Sequence, residues 1–254
     1  MSVRLHNIVV SILGVLSLAR GPDAVLRAYS GPIGLSALEQ IDQLPRLLPG
    51  VRSYLISSYG RVSANVDGED YLYQDGAEYV MFEAEGPGCV YRFWATSTSG
   101  RFGNLRFYFD GETTPRFNIT YDTLFAGNTP PFLSPLVKND NVAGGSCYLP
   151  IPFRRSLKIT STQRPRFYQF DYHIFDDTTN VVTFTGAENS SAARALWNNK
   201  GNDPKPTAGN RVVTNTISIP TGQSAVVFTS TGSGTVQSVK IRLSPENAAT
   251  LQNT

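Results

Sequence analysis

The sequence predicts an all-β protein built around a jelly-roll β-sandwich, and three observations support this prediction. Fourteen Phe, twelve Tyr, 22 Gly and 16 Pro favour strands and turns. Leu105, Phe107 and Phe109 alternate with more polar residues, which is the pattern of a strand buried on one face. Similar strands around 53–57, 157–162, 168–175 and 181–185 bring the total to about eight, the number that a jelly roll needs.

The N-terminus has the pattern of a secretory signal. Arg4 and His6 precede an apolar run from Ile8 to Leu18, and Ser17 and Ala19 place small residues at the two positions that a signal peptidase reads. The run is shorter than the roughly 20 apolar residues of a membrane-spanning helix. We therefore expect a cleaved signal at residues 1–19 and a secreted, extracellular protein with no membrane attachment. An N-terminal anchor or a buried helix is the alternative.

Short helices are predicted on both sides of the first sandwich. Residues 20–50 form a lead-in, in which the capping box Ser36-Ala37-Leu38-Glu39 predicts a helix to about Gln43. Ser190 and Ser191 cap a second run of helix formers, and a polar linker rich in Pro and Gly follows. The first jelly-roll domain is therefore expected at residues 51–189, with the helix and linker at 190–209.

A repeated phrase predicts a second domain. Placing Gly76 on Gly222 aligns GAEYVMFEAEGPGCV with GQSAVVFTSTGSGTV without gaps, although a chance match of glycines is the alternative. The second copy stops near Leu243, before any counterpart of LRFYFDGE. Residues 210–254 are therefore expected to supply the first strands of a second, incomplete jelly roll, in strands near 212–219, 224–229 and 236–243.

Turn residues and cysteines complete the predicted frame. Gly86-Pro87-Gly88 separates two strands because Pro presets φ and Gly tolerates positive φ, and Asp110-Gly111 forms a turn. The Pro-rich stretch between Gly111 and Gly145 has no sustained period, which favours a functional or interface loop. Cys89 and Cys147 can form a disulfide after secretion or can be small buried hydrophobic residues, and both alternatives stay open.

Five ordered segments together resemble the DUF2961 proteins, now classed as glycoside hydrolase family 172. They lie between Leu47 and Phe175: LLPGVRSYLISSYGR, EGPGCVYRFWATS, LRFYFDGE, GGSCYLPIPFRRSLKIT and RFYQFDYHIF. The resemblance implies a double jelly roll that assembles as trimers or larger rings and is similar to viral capsid proteins. It also implies retaining hydrolysis of α-D-fructofuranosides or arabinofuranosides, including difructose dianhydrides.

The chain departs from the family pattern at two places. In the family the loop after the first strand usually reads Ser-Ser-Tyr-Asp-Arg-Thr-Gly-Gly-Asn-Asp-Asp, whereas Gly60 stands here in place of the first Asp. The family residues that are kept in this loop are Ser58, Tyr59, Arg61, Asn65 and Asp67. The two catalytic glutamates of the family lie in Gly-Glu-Gly-Glu and Gly-Thr-Glu-Asp-Tyr runs of the second jelly roll, and neither run occurs here. The resemblance therefore assigns no catalytic residue to this chain.

Carboxylate pairs within the chain are poor candidates for glycosidase chemistry. A retaining enzyme needs two carboxyl groups about 5 Å apart, one of them with a raised pKa. Glu83 and Glu85 share a strand face and are expected on a solvated edge. Asp110 and Glu112 flank a turn, where Asp usually bonds its own backbone, so turn formation explains them better.

Sugar binding is predicted at the loop from Tyr59 to Asp67 and at one tryptophan. Arg61 and Asp67 offer charge-assisted hydrogen bonds to hydroxyl groups and Tyr59 offers a flat apolar face, whereas a loop closed by its own Asx turns is the alternative. Trp94 can stack on a sugar ring or belong to the core. The predicted substrate-binding residues are Ser58, Tyr59, Arg61, Asn65, Asp67 and Trp94.

Charge and composition exclude several other classes of function. The net charge is +2 and the charges are interspersed, so there is no basic stripe for nucleic acid. His6 lies in the signal and His173 on a strand, so no metal site is predicted, and no cofactor is expected. The expected partners are carbohydrate and further copies of the chain.

These observations predict a secreted, glycoside hydrolase-like protein of the fructofuranosidase or arabinofuranosidase type. It is expected to be truncated before its catalytic glutamates and therefore inactive alone. The alternatives are a non-catalytic carbohydrate-binding protein and a capsid-like oligomeric jelly roll.

Overall fold

The structure is a computed structural model that describes residues 29–46, 49–61, 70–96, 102–139, 144–177, 179–220 and 222–242. The chain divides into two compact units, residues 25–205 and a unit formed by residues 1–24 with 206–254. The helices of the first unit are α1 (Leu35–Glu39), α2 (Tyr121–Phe125) and α3 (Ser191–Asn198), with a 3-10 turn at Ile41–Gln43. The strands are β1 (Val51–Ser57), β2 (Tyr73–Asp75), β3 (Glu78–Glu85), β4 (Gly88–Thr96), β5 (Asn104–Phe109), β6 (Phe117–Thr120), β7 (Asn128–Thr129), β8 (Phe132–Leu133), β9 (Val137–Asn139), β10 (Gly144–Cys147), β11 (Ile151–Phe153), β12 (Ser156–Ser161) and β13 (Phe167–Phe175).

Antiparallel pairing arranges these strands into two main sheets. A six-stranded sheet has the order β1-β13-β4-β10-β9, with β11 also paired to β4. A five-stranded sheet has the order β2-β3-β12-β5-β6, and β7 and β8 form a separate ribbon. This architecture confirms the all-β prediction and is consistent with a jelly-roll sandwich.

The core between the two sheets is aromatic. Phe170 of β13 stacks on Phe93 of β4, with ring centroids 4.4 Å apart, and lies 5.2 Å from Phe82 of β3 in the other sheet. Leu105, Phe107 and Phe109 are all buried, as their alternation predicts. Burial of these rings therefore joins the two sheets.

The strand predicted at Val181–Thr185 is wrong. This segment has no strand pairing, and its buried residues, Val181 and Phe184, are three positions apart instead of two. The Phe184 N–H donates to the Pro152 carbonyl oxygen at 2.8 Å, but this hydrogen bond is not part of a strand ladder. The β-branched composition was typical of a strand, but the burial pattern is that of a segment that packs two side chains into hydrophobic clusters without joining a sheet.

Both predicted helices exist, but neither predicted cap does. α1 begins after Gly34, and the Ser36 hydroxyl donates to the Ile33 carbonyl oxygen at 2.8 Å instead of capping the helix. Ser190 makes no side-chain cap to α3, whereas Asn189 Oδ1 accepts a hydrogen bond from the Ser191 N–H at 3.0 Å. The first helical residue therefore lies two positions earlier than a Ser36 cap predicts in α1, and one position earlier than the predicted run from Ala192 in α3.

The Pro-rich stretch after Gly111 contributes to the core of the sandwich. It contains β6, α2, β7, β8 and β9, and its buried residues include Leu124, Phe125, Phe132 and Leu136. Single buried side chains with irregular spacing hold this segment, which explains why no period is visible in the sequence.

Close packing, not positive φ, explains the glycines around Pro87. Neither Gly86 nor Gly88 has a positive φ. A Cβ atom on Gly88 would lie 2.4 Å from Phe153 Cζ and 2.8 Å from the His173 carbonyl oxygen, so only glycine fits there. The Asp110-Gly111 turn is confirmed, because φ is 52° at Asp110 and 86° at Gly111.

In the second unit, the described residues 206–220 and 222–242 contain neither helix nor strand. The strands predicted there are therefore not formed, and apolar side chains such as Val212, Val226 and Ile241 are exposed. Gly76 and Gly222 do share a positive φ, at 58° and 76°. The assignment of this segment to a second jelly roll stays a prediction.

The sequence also makes predictions for a signal segment at the N-terminus and for the two cysteines. The predicted signal at residues 1–19 lies outside the described residues. Within the described part of the chain, no helix is long and apolar enough to cross a bilayer.

Cys89 and Cys147 are both free thiols and both buried, as in the alternative of small buried hydrophobic residues. Burial raises the pKa of each thiol to about 12, despite hydrogen bonds that lower it.

Candidate functional site

Trp94 lies on the outer face of the six-stranded sheet. Its neighbours in β4, Phe93 and Ala95, are fully buried, so Trp94 points to the opposite face and is partly exposed. It is paired in register with Gln169 of β13 on one side and Ser146 of β10 on the other. The structure therefore places Trp94 outside the core, where its ring can meet a ligand.

Arg92 organises the polar groups beside Trp94. Its Nη1 donates to Asp171 Oδ2 at 2.9 Å and to Gln169 Oε1 at 3.0 Å. Burial lowers the pKa of Arg92, but the hydrogen bonds to Asp171 and to the Tyr148 hydroxyl outweigh this effect and raise it. The guanidinium is therefore held charged and in one position, with carboxylate, amide and phenol groups around it.

Trp197 of α3 borders the same surface. Its ring centroid lies 5.1 Å from that of Tyr148, which in turn contacts Arg92. We call the surface formed by Arg92, Trp94, Tyr148, Gln169 and Asp171 the outer patch. It combines flat aromatic faces with fixed hydrogen-bond donors and acceptors, the groups that bind the apolar faces and hydroxyls of sugars.

Sequence reasoning found Trp94 but missed the other residues of the outer patch. Arg92 and Asp171 are 79 positions apart and become neighbours only through the β4–β13 register. Alternation alone places each of them on the polar face of its strand, which is the signal that could have identified them.

Ser58 has a structural position instead of the predicted binding position. Its N–H donates to the Tyr168 carbonyl oxygen at 3.1 Å, and its Oγ accepts from the Tyr168 N–H at 3.1 Å. Ser58 and Tyr168 are both buried. The hydroxyl thus replaces a backbone acceptor and extends the pairing of β1 with β13 by one residue.

We expect Ser58→Ala to destabilise the protein by about 1–3 kcal/mol, because the buried Tyr168 N–H would lose its acceptor. Urea denaturation measures this change. Ser53→Ala, on an exposed position of the same strand, is the matched control and should have little effect. Equal stabilities of the two variants would contradict the structural role of Ser58.

Tyr59 and Arg61 form a turn directly after β1. The Arg61 guanidinium lies 4.5 Å from the centroid of the Tyr59 ring, and its Nη2 donates to the Ser57 carbonyl oxygen at 2.7 Å. The Arg61 N–H donates to Asp70 Oδ2 at 2.6 Å. Ser57 is paired with Gln169, and Gln169 is paired with Trp94. The turn therefore follows the β1 residue that lies in line with Trp94 across the sheet. Asn65 and Asp67 lie outside the described residues.

Asp110 and Glu112 are engaged in structural hydrogen bonds, and the carboxylate of Glu112 accepts from the Phe109 N–H at 3.2 Å. The expectation that Asp110 bonds its own turn is wrong, because its carboxylate accepts from the backbone N–H groups of Arg155 and Ser156, at 2.7 and 3.2 Å, and from the Thr183 hydroxyl. Burial raises the pKa of Asp110, but these hydrogen bonds and the charge of Arg116 together lower it. Asp110 is therefore held as an anion that ties three segments together.

Glu78 shows the same behaviour on the outer face of the five-stranded sheet. Burial raises its pKa, but hydrogen bonds from Thr160, Arg106 and Tyr108 outweigh burial and lower it. Nearby, Glu83 accepts from the Tyr73 hydroxyl at 2.6 Å, and Glu83 and Glu85 are exposed, as predicted for a solvated edge. The lowered pKa of Glu78 and of Asp110 is the opposite of what a catalytic proton donor needs.

The described residues contain no group of three or more His, Cys, Asp or Glu side chains that could hold a metal ion. A family model described as the GH172 first beta-sandwich domain matches residues 49–192, which is more than half of the 254 residues. No curated protein matches the chain.

Proposed function

Because the chain belongs to the GH172 family of glycoside hydrolases, we propose that its first domain binds furanoside sugars at the outer patch. Retaining hydrolysis of α-D-fructofuranosides or arabinofuranosides is the activity that the family resemblance implies, and we propose that this chain is secreted and recognises the same sugars. The single observation that carries the binding proposal is the position of Trp94, partly exposed beside the Arg92–Asp171–Gln169 network.

The chemistry of the outer patch supports a neutral, hydroxyl-rich ligand. Arg92 is paired with Asp171, so the pair carries no net charge to select an anionic sugar. Arg92 still offers donors, and Asp171 and Gln169 offer acceptors, all held by the strands beneath them. Trp94 supplies an apolar face against which the carbon skeleton of a furanose can pack.

Hydrolysis itself needs carboxyl groups that the outer patch does not supply. Asp171 is bound to Arg92, and neither Asp110 nor Glu78 has the raised pKa of an acid catalyst. We therefore propose that this chain binds its sugar without hydrolysing it. Release of reducing sugar by the purified chain would contradict that part of the proposal.

We expect Trp94→Ala to weaken the binding of fructo- and arabinofuranoside oligosaccharides by about tenfold or more, because a stacking contact of roughly 1.4 kcal/mol is lost. Isothermal titration calorimetry measures the affinity. Trp197→Phe keeps an aromatic ring against Tyr148 and is the matched control, with an expected change of less than about twofold. Absence of binding by the unaltered chain, or equal loss in both variants, would contradict the proposal.

A further inference from the structure

β1 is a long edge strand, and its outer edge is open as far as the described residues are concerned. It pairs with β13 through all seven residues and ends the six-stranded sheet, and no other described strand pairs with its far side. The other sheet edges are short, with three residues in β2, four in β6 and three in β9. Short edges, charged side chains (lysine above all) and prolines are the usual protection against edge pairing, and VRSYLIS has only one of these features, Arg52.

Two hydrogen bonds show which residues of β1 point to the open edge. The Asp176 N–H donates to the Gly50 carbonyl oxygen, and the Ser58 N–H donates to the Tyr168 carbonyl oxygen. Alternate residues of an antiparallel strand point both backbone groups to the same side. The backbone N–H and C=O groups of the even-numbered residues therefore face β13. Those of Val51, Ser53, Leu55 and Ser57 face the open edge.

Arg61 already closes one end of this edge. Its Nη2 donates to the Ser57 carbonyl oxygen at 2.7 Å. The backbone groups of Val51, Ser53 and Leu55 are therefore the ones left for pairing. The side chains beside them are unusually apolar for a solvated edge, with Tyr54 44% and Leu55 56% exposed.

When two copies of β1 run antiparallel, these three positions of one copy are complementary to the same three positions of the other. With Ser53 on a two-fold axis, Val51 lies opposite the partner's Leu55, and Arg52 lies opposite the partner's Tyr54. Apolar groups then meet on one face, and a cation meets an aromatic ring on the other. The lone charge of the strand has no like charge opposite it.

The neighbouring registers fit less well. An axis at Tyr54 places Arg52 opposite the partner's Ile56 and Ser53 opposite the partner's Leu55. An axis at Leu55 needs the Ser57 carbonyl oxygen, which Arg61 already occupies. The chemistry of the strand therefore selects one register.

We propose that β1 is a two-fold interface at which a second copy of this chain pairs antiparallel, with Ser53 on the axis. The contact joins two six-stranded sheets into one continuous sheet, so two outer patches share one face. A ligand with repeated sugar units can then engage both patches, which raises its apparent affinity. This interface is a two-fold contact and differs from the three-fold assembly that the family resemblance implies.

Ser53→Cys tests the register directly. Two residues in a hydrogen-bonded antiparallel pair have Cα atoms about 5.5 Å apart, within the range of roughly 4.4–6.8 Å that a disulfide spans. We expect a disulfide-linked dimer of this variant in a mildly oxidising glutathione buffer, resolved by non-reducing electrophoresis. The unaltered chain should stay unlinked, because Cys89 and Cys147 are buried.

Leu55→Cys is the matched control. In the proposed register its partner copy lies four residues away along the strand, roughly 13 Å, which is too far for a disulfide. A link in Leu55→Cys that equals or exceeds the link in Ser53→Cys would overturn the register. Absence of any link in Ser53→Cys would overturn the interface.

Ser53→Pro provides a second measurement by sedimentation velocity. Proline removes the N–H that points to the open edge and leaves the β13 hydrogen bonds in place. We expect the unaltered chain and Ser53→Ala to dimerise with rising concentration and Ser53→Pro to remain monomeric. A dimer that persists in Ser53→Pro, or an unaltered chain that stays monomeric at every soluble concentration, would overturn the proposal.

Discussion

Replacing Phe170 with alanine is expected to lower the free energy of unfolding by about 3–5 kcal/mol, a large part of the stability of a single domain. Phe170 is fully buried and touches both sheets, since its ring stacks on Phe93 and lies 5.2 Å from Phe82. The variant loses the transfer free energy of the ring and leaves a cavity between the sheets. The midpoint of urea denaturation measures the loss.

Phe167→Ala is the matched control for this prediction. Phe167 starts the same strand but is only partly buried, so the same truncation should cost clearly less. An unchanged slope of the urea transition in both variants would show that only stability differs. Equal midpoints for the two variants would contradict the position of Phe170 at the centre of the core.

Strands in which apolar and polar residues alternate were predictable from sequence, because a half-buried strand imposes a period of two on its residues. Leu105, Phe107 and Phe109 show this relation clearly, since all three are buried. The segment at Val181–Thr185 shows its limit: β-branched residues favour an extended backbone, but whether a partner strand exists depends on the rest of the fold.

Long-range hydrogen bonds were not predictable from local pattern. Asp110 occupies a turn, as its sequence indicates, yet its carboxylate binds the backbone 45 positions further along the chain. Ser58 belongs to a motif shared with the family, yet its hydroxyl completes the pairing of β1 with β13. In both cases a small polar side chain accepts from a backbone N–H group far away in the sequence, and the identity of that group depends on the tertiary structure.

The outer patch shows the same limit for function. Trp94 was identified from its residue type alone, whereas Arg92, Gln169 and Asp171 become its neighbours through the register of β4 and β13. The aligned strands hold the three polar groups together, so the site depends on the correct pairing of a sheet. A pattern in one segment cannot specify such a site.

We expect amide hydrogens in residues 206–242 to exchange at least about a thousandfold faster than those of β3, β4 and β5. The described part of this segment has no strand or helix, and its apolar residues, including Val226 and Val239, are exposed. Strand amides of the core exchange only when the domain opens, which costs several kcal/mol, whereas solvated amides need no such opening. Hydrogen exchange with mass spectrometry measures both regions in one experiment.

Exposed apolar residues with unpaired backbone groups also favour association between chains. A chain that ends at Asn199, after α3, is therefore expected to remain soluble to higher concentration than the chain of 254 residues. Turbidity during concentration compares the two forms, and circular dichroism verifies that the shortened form keeps its strands.

Equal protection of residues 206–242 and of β3–β5 in a monomeric sample would mean that the segment is paired within a sheet, because exchange at that rate requires hydrogen bonds as stable as those of the core.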